Sequence, residues 1–337
     1  VAYWYQKAKA LYHWLPIESF PTLAYPNMGS AIWMFGMNYA EGSENVGRSI
    51  FPLLLMSIYV SYWLLMKQYF DIQRKNKLII SLLFSYLAYI SITKQFGGGY
   101  TYVNAGYIDW LVGIIPCFSY MLLFFNTELF RTSGEDFPVK KYFLIIFLLG
   151  STALIKSEGF ILVFIFIFSY FFIQFFRDKR LLLDNKKNHV YGLIFLIFIA
   201  TLYRQILFIN GIDYENAQGF NLGTIVSSYT NIIDRTPIIM KQMIYHFRHH
   251  FDIILPFLIL LCFMLKHKKY FLISIFLIPL TLHFMSVLLV FYSTTLPLEW
   301  HLATALDRLM HQTSYMYIFG IILYAFILAD RPRGESK

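Results

Sequence analysis

The chain has 337 residues, of which 58% are apolar, 20% aromatic and only 14% charged. Soluble domains average about 45–50% apolar and about 25% charged, so this balance excludes a water-soluble core and points to an all-α polytopic membrane protein. The net charge of +9 would suit nucleic acid in a soluble chain, but here it gathers in loops between apolar runs, and no nucleic-acid partner is expected. Cys117 and Cys262 both lie inside apolar runs, which excludes a disulfide framework and a cysteine zinc site.

Residues 3–15 form an amphipathic helix in projection, with Tyr3, Trp4, Ala8, Leu11 and Leu15 on one face and Gln6, Lys9 and His13 on another. Aromatics beside lysines suit a helix lying in the membrane interface. Apolar runs then predict about nine membrane helices, near 50–67, 78–93, 107–125, 141–155, 159–176, 190–208, 252–265, 270–291 and 315–329. Between the sixth and seventh, Thr236 before Pro237 reads as a helix start, followed by Ile239, Met243 and Phe247 at helical spacing. The chain is thus one membrane domain, residues 1–337, with external segments at 1–49, 209–251 and 292–314.

The loops alternate in charge. One set carries 18 of the 28 Lys and Arg with eight acids, a net +10; the other carries ten bases and eleven acids, a net −1. The positive-inside rule puts the first set in the cytoplasm and the second outside. An external tail of 49 residues is expected to need an upstream membrane helix, since the chain begins at Val1 with no signal peptide; the alternative is a tail carried across by the helix at 50–67 alone. Low charge and Lys/Asn-rich cytoplasmic loops fit the inner or plasma membrane of an AT-rich bacterium.

Polar residues near the external ends are the candidates for chemistry, because charge in lipid is costly unless paired or hydrated. Asp109 is either an acid favoured by a helix dipole or an acid lining an external cleft. Lys156 and Glu158, in Lys156-Ser157-Glu158-Gly159, are either an interface pair or a point charge for an anionic ligand with its orienting acid. Along Trp300–Gln312 a helix puts His301, Thr304, Arg308 and Gln312 on one face, and Leu302, Ala305 and Leu309 on the other. Its guanidinium suits a phosphate, unless it is an arginine snorkelling from an interfacial helix. His246, Arg248, His249 and His250 form a dense cluster. His246 has metal-capable spacing to His249 or His250, but no acid-containing zinc motif accompanies it and Arg248 repels cations. The cluster therefore reads as a basic patch facing lipid headgroups. Gly97-Gly98-Gly99 lacks the ending of a phosphate loop. No nucleotide fingerprint occurs, and no cofactor is assigned. The external acids are of a type that binds a divalent cation, though without the oxygen cage one would need.

Five stretches resemble the membrane-embedded GT-C glycosyltransferases, in particular bacterial relatives of the dolichyl-phosphate-mannose protein mannosyltransferases. They are Trp4-Tyr5-Gln6-Lys7-Ala8-Lys9-Ala10-Leu11; Tyr25-Pro26 with Gly29 and Trp33; Gly106-Tyr107-Ile108-Asp109; Lys156-Ser157-Glu158-Gly159; and Asp307-Arg308-Leu309 with Gln312. The resemblance implies a GT-C-like fold and transfer of a sugar from a polyprenyl-phosphate donor to the hydroxyl of a glycan, lipid or protein acceptor at the external face. It implies a catalytic loop aspartate just ahead of Val1, and gives Asp109 the part of a second acid that positions or polarises the acceptor. Arg308, Lys156 and Gln312 are implied at the donor phosphate, with Glu158, His301 and Tyr25 in support. Where the family carries an acid or histidine next to Tyr-Pro, this chain has Ala24. Two other functions compete: a transporter or flippase of a lipid-linked substrate, and an enzyme like the O-antigen ligases or polymerases.

Overall fold

A computed structural model describes residues 2–15, 28–38, 43–70, 74–93, 95–96, 100–101, 109–133, 139–156, 158–209, 232–294 and 297–330. Helices dominate: α1 (Ala2–Tyr12), α2 (Met28–Asn38), α3 (Glu44–Tyr69), α4 (Arg74–Thr93), α5 (Asp109–Ser133), α6 (Val139–Ile155), α7 (Glu158–Arg177), α8 (Lys179–Asp184), α9 (Lys186–Ile209), α10 (Ile232–His249), α11 (Phe251–Lys266), α12 (Tyr270–Ser293) and α13 (Leu298–Ala329). The all-α expectation gains one small exception. Gln95–Phe96 (β1) pairs antiparallel with Tyr100–Thr101 (β2), around the triple glycine, which lies outside the described residues.

A helix stands on each of the nine predicted spans. Among the described residues α3, α5, α7, α12 and α13 are long and apolar enough to cross a bilayer, and a sixth span is reached if α10 and α11, which meet at 85°, are taken together. The chain is a multi-pass membrane protein. With little hydrophobic drive between helices in lipid, close packing and buried hydrogen bonds must hold them together. The burial pattern sets the centre: 78% of the apolar window is buried in α5 and in α13, against 33% in α3 and 39% in α12. These two central helices approach closely at Gly113. A Cβ there would meet Cα and the carbonyl oxygen of Gln312 at 2.8 Å. Around them, α6 packs on α5 and α9, α7 on α5, α6 and α12, and α11 on α13. Buried tyrosines tie helices across the core, Tyr62 donating to the Phe319 carbonyl at 3.1 Å and Tyr120 to that of Ile275 at 2.9 Å. Exposed Leu64, Phe168 and Ile194 face outward, as lipid contact requires.

Three local expectations change. The segment 1–49 contains a second helix, α2, which packs on α1 and α3 and brings Trp33 5.7 Å from Tyr5 and 5.9 Å from Phe51. Leu15, placed on the apolar face of the first helix, is exposed, because that helix ends at Tyr12. The roof helix α10 starts at Ile232 rather than after Thr236. Its first turn is fixed from outside, since Arg235 Nη1 lies 3.1, 2.9 and 2.9 Å from the carbonyl oxygens of Phe291, Tyr292 and Thr294 at the end of α12. Ile239 and Met243 are buried, and Phe247 is partly buried, against α12 and α13, as their spacing predicts.

Candidate functional site

Four charged side chains converge at one end of the bundle. Asp109 opens α5, where the positive end of the helix dipole favours a carboxylate. Lys156 follows the last residue of α6, and Glu158 opens α7 two residues later. That tight turn aims both at Asp109's end of the core. Lys156 Nζ donates to Asp109 Oδ1 at 2.7 Å and stands 3.2 Å from Glu158 Oε1. Arg308, from the central helix α13, places Nη1 3.9 Å from Asp109 Oδ2.

Exposure separates the four. Asp109 and Lys156 are 1% and 3% exposed, whereas Arg308 retains 27% and Glu158 31%. Burial would by itself lower the Lys156 pKa; the carboxylates of Asp109 and Glu158 outweigh it and raise the pKa, so Lys156 is the charged partner of a buried pair. The Arg308 contact to Asp109 is too long for a hydrogen bond. Arg308 Nε donates to the Thr304 carbonyl at 2.9 Å, one of the five donors a guanidinium carries. The arrangement is therefore a buried Lys–Asp pair backing a half-open guanidinium, which can bind an anion.

The other expected site residues divide. Gln312 is buried one turn beyond Arg308, and its amide makes no hydrogen bond among the described residues. It borders a cavity of about 20 Å³ shared with Glu158, Leu162 and His283, room for about one water and not for a sugar. His301 bonds Thr294 Oγ1 through Nδ1 at 2.7 Å and lies near enough to Arg308 and Glu158 to feel both charges; Thr304 is exposed, and its carbonyl accepts from Arg308 Nε. A π-helical turn at Leu302–Leu306 lies between His301 and Arg308. Leu302, Ala305 and Leu309 are buried as expected. Tyr25, Gly106–Ile108 and Ser157 lie outside the described residues. Among the described residues, larger cavities of about 420 and 280 Å³ lie at the opposite end of the bundle, beside Phe70, Lys269 and Phe271.

Two features were not visible in the sequence. Lys7 is fully buried in α1, and burial lowers its pKa to about 8. The histidine cluster splits: Arg248 and His249 are exposed, while His246 and His250 turn inward toward Asp307, the one group among the described residues whose donors suit a metal ion. The site and fold define a multi-pass helical membrane protein with a charged network buried at one end. Compared with protein-family models, curated proteins and solved structures, the chain finds no match.

Proposed function

We propose that this protein is a glycosyltransferase that moves a sugar from a polyprenyl-phosphate donor to an acceptor hydroxyl at the external face of the membrane. All nine apolar helices cross in this reading, which puts the Asp109 end outside, as the charge alternation of the loops supports. The observation that carries it is the partly exposed Arg308 guanidinium, held beside the buried Asp109–Lys156 pair within the motifs that resemble the GT-C enzymes.

In the transfer step the acceptor oxygen bonds to the sugar carbon as the bond to the phosphate oxygen breaks. The electron pair leaves with the polyprenyl phosphate, and a general base takes the acceptor proton. Arg308 meets the charge growing on that phosphate, where one preorganised donor is worth about 100-fold or more in rate. In this reading Arg308 is the phosphate contact, and Lys156, directed to Asp109 and Glu158, is a positioning residue. Asp109 holds both cations in place. Membranes carrying the protein and a radiolabelled polyprenyl-phosphate sugar test the reading. Arg308→Ala and Asp109→Asn are expected to lower transfer at least about 100-fold, with Arg308→Lys between them and wild type. Undiminished transfer by Arg308→Ala would overturn the assignment.

A further inference from the structure

We propose that His246, His250 and Asp307 form a binding site for a divalent transition-metal ion, zinc by ligand type, that clamps the roof helix α10 to the central helix α13. The site borders the Asp109 network, with His311 near both, but does not depend on the transferase reading.

The argument starts from spacing. His246 and His250 are four residues apart at the end of α10, so their rings share one face; the ring centroids are 4.1 Å apart. Asp307 comes from 57 positions beyond His250 in the chain and meets them in space. His246 Nδ1 lies 2.8 Å from Asp307 Oδ1, and His250 Nε2 lies 3.7 Å from the same oxygen. One ligand atom from each residue falls within 4.8 Å of the others. Zinc bonds of about 2.0–2.1 Å in tetrahedral geometry set neighbouring ligand atoms about 3.3 Å apart. The observed 2.8 and 3.7 Å bracket that separation, so small side-chain rotations suffice.

Chemistry selects the ion. Two imidazoles and one carboxylate form the three-ligand set of open zinc sites. Calcium and magnesium require more oxygen ligands than one carboxylate supplies. The rings are buried, with 6% and 5% of their side chains exposed, while Asp307 is 46% exposed, leaving a fourth position on the open side for water or a ligand. On binding, the ion replaces the hydrogen bond between His246 Nδ1 and Asp307, and the neutral ring carries its one proton on Nε2. The ring of His311, one turn beyond Asp307, lies 6.4 Å from that of His250 and closes the buried side. Asp307 follows directly on the π-helical turn. An extra residue turns the helix by about 100°, so this turn sets the direction in which Asp307 points. Such turns recur at functional sites.

The test uses the full chain, purified in detergent with any affinity tag removed, stripped with a chelator, equilibrated with zinc sulfate and desalted. Elemental analysis should find one zinc per chain, and competition with a chromogenic chelator should give its affinity. His250→Ala and Asp307→Asn should each weaken binding by more than about 100-fold, beyond the 10–100-fold expected for a merely supporting partner. Arg248→Ala and His249→Ala should bind as wild type does, and a large excess of magnesium should not displace the zinc. Should His250→Ala misfold, the near-isosteric Asp307→Asn, with helicity checked by circular dichroism, decides the matter. No retained zinc, equal retention by Asp307→Asn, or displacement by magnesium would each overturn the proposal.

Discussion

Neutralising both members of the buried Asp109–Lys156 pair should cost no more than neutralising either one. At 2.7 Å and an effective dielectric of about 20, their attraction is about 6 kcal/mol. Desolvating two ions costs several kcal/mol each, so the intact pair is near break-even, whereas losing one partner typically costs about 3–5 kcal/mol. Here the remaining neighbours soften that loss. Without Asp109, Lys156 keeps Glu158 at 3.2 Å; without Lys156, Asp109 keeps Arg308 at 3.9 Å. Asp109→Asn and Lys156→Met should thus each destabilise by about 3 kcal/mol, and the double variant by about 3 rather than 6. Reversible unfolding by SDS in mixed micelles, followed by circular dichroism, measures the cycle. The folded pKa of Lys156 lies above its unfolded 10.5. Its contribution is therefore complete below that pH and lost only as pH rises above it, so the coupling should be the same at pH 7 and pH 9. Additive single effects, or single effects below about 0.5 kcal/mol as at exposed pairs, would refute the reasoning.

Two further expectations concern packing and protonation. Gly113→Ala should force α5 from α13, since its methyl would meet Gln312 backbone at 2.8 Å; a loss of about 1–3 kcal/mol is expected in the same assay, and Gly150→Ala, whose nearest contact is an isoleucine methyl at 3.1 Å, should lose less. Burial puts the folded pKa of Lys7 at about 8, below its unfolded 10.5. Between those values the unfolded chain binds the extra proton, so stability should rise with pH through that window. The thermal midpoint of wild type minus that of Lys7→Met should therefore climb between pH 8 and pH 10, and a flat difference would remove the buried charge from the account.

What could be read from the sequence follows from how local each signal is. Helices at all nine apolar runs were legible because composition alone decides them, and the buried face of α10 was legible at Ile239 and Met243. Asp109, Lys156, Glu158 and Arg308 could be named because each is a charge beside an apolar run, and each in fact reaches the same end of the bundle. Their division into buried pair and half-open arginine was not legible, since it depends on how α5, α6 and α13 pack. The π-helical turn at Leu302–Leu306 was not legible either, because periodicity assumes an unbroken 3.6 repeat. The burial of Lys7, named only within the Trp4–Leu11 stretch, was not legible, since it depends on α2, unpredicted, packing on α1. Asp307 was in view within Asp307-Arg308-Leu309, yet nothing in the chain links it to histidines some sixty residues earlier; only the folding of α10 over α13 does that.

The most direct test of the central claim reads transfer and transport together. The protein is reconstituted in vesicles with a radiolabelled polyprenyl-phosphate sugar and an acceptor-containing membrane extract, and both label in acceptor and the leaflet of the lipid-linked sugar are followed. The account predicts label moving to acceptor, depending on Arg308 and Asp109 in variants shown to be folded. Lipid-linked sugar that changes leaflet while no label moves would contradict it and put a flippase in its place.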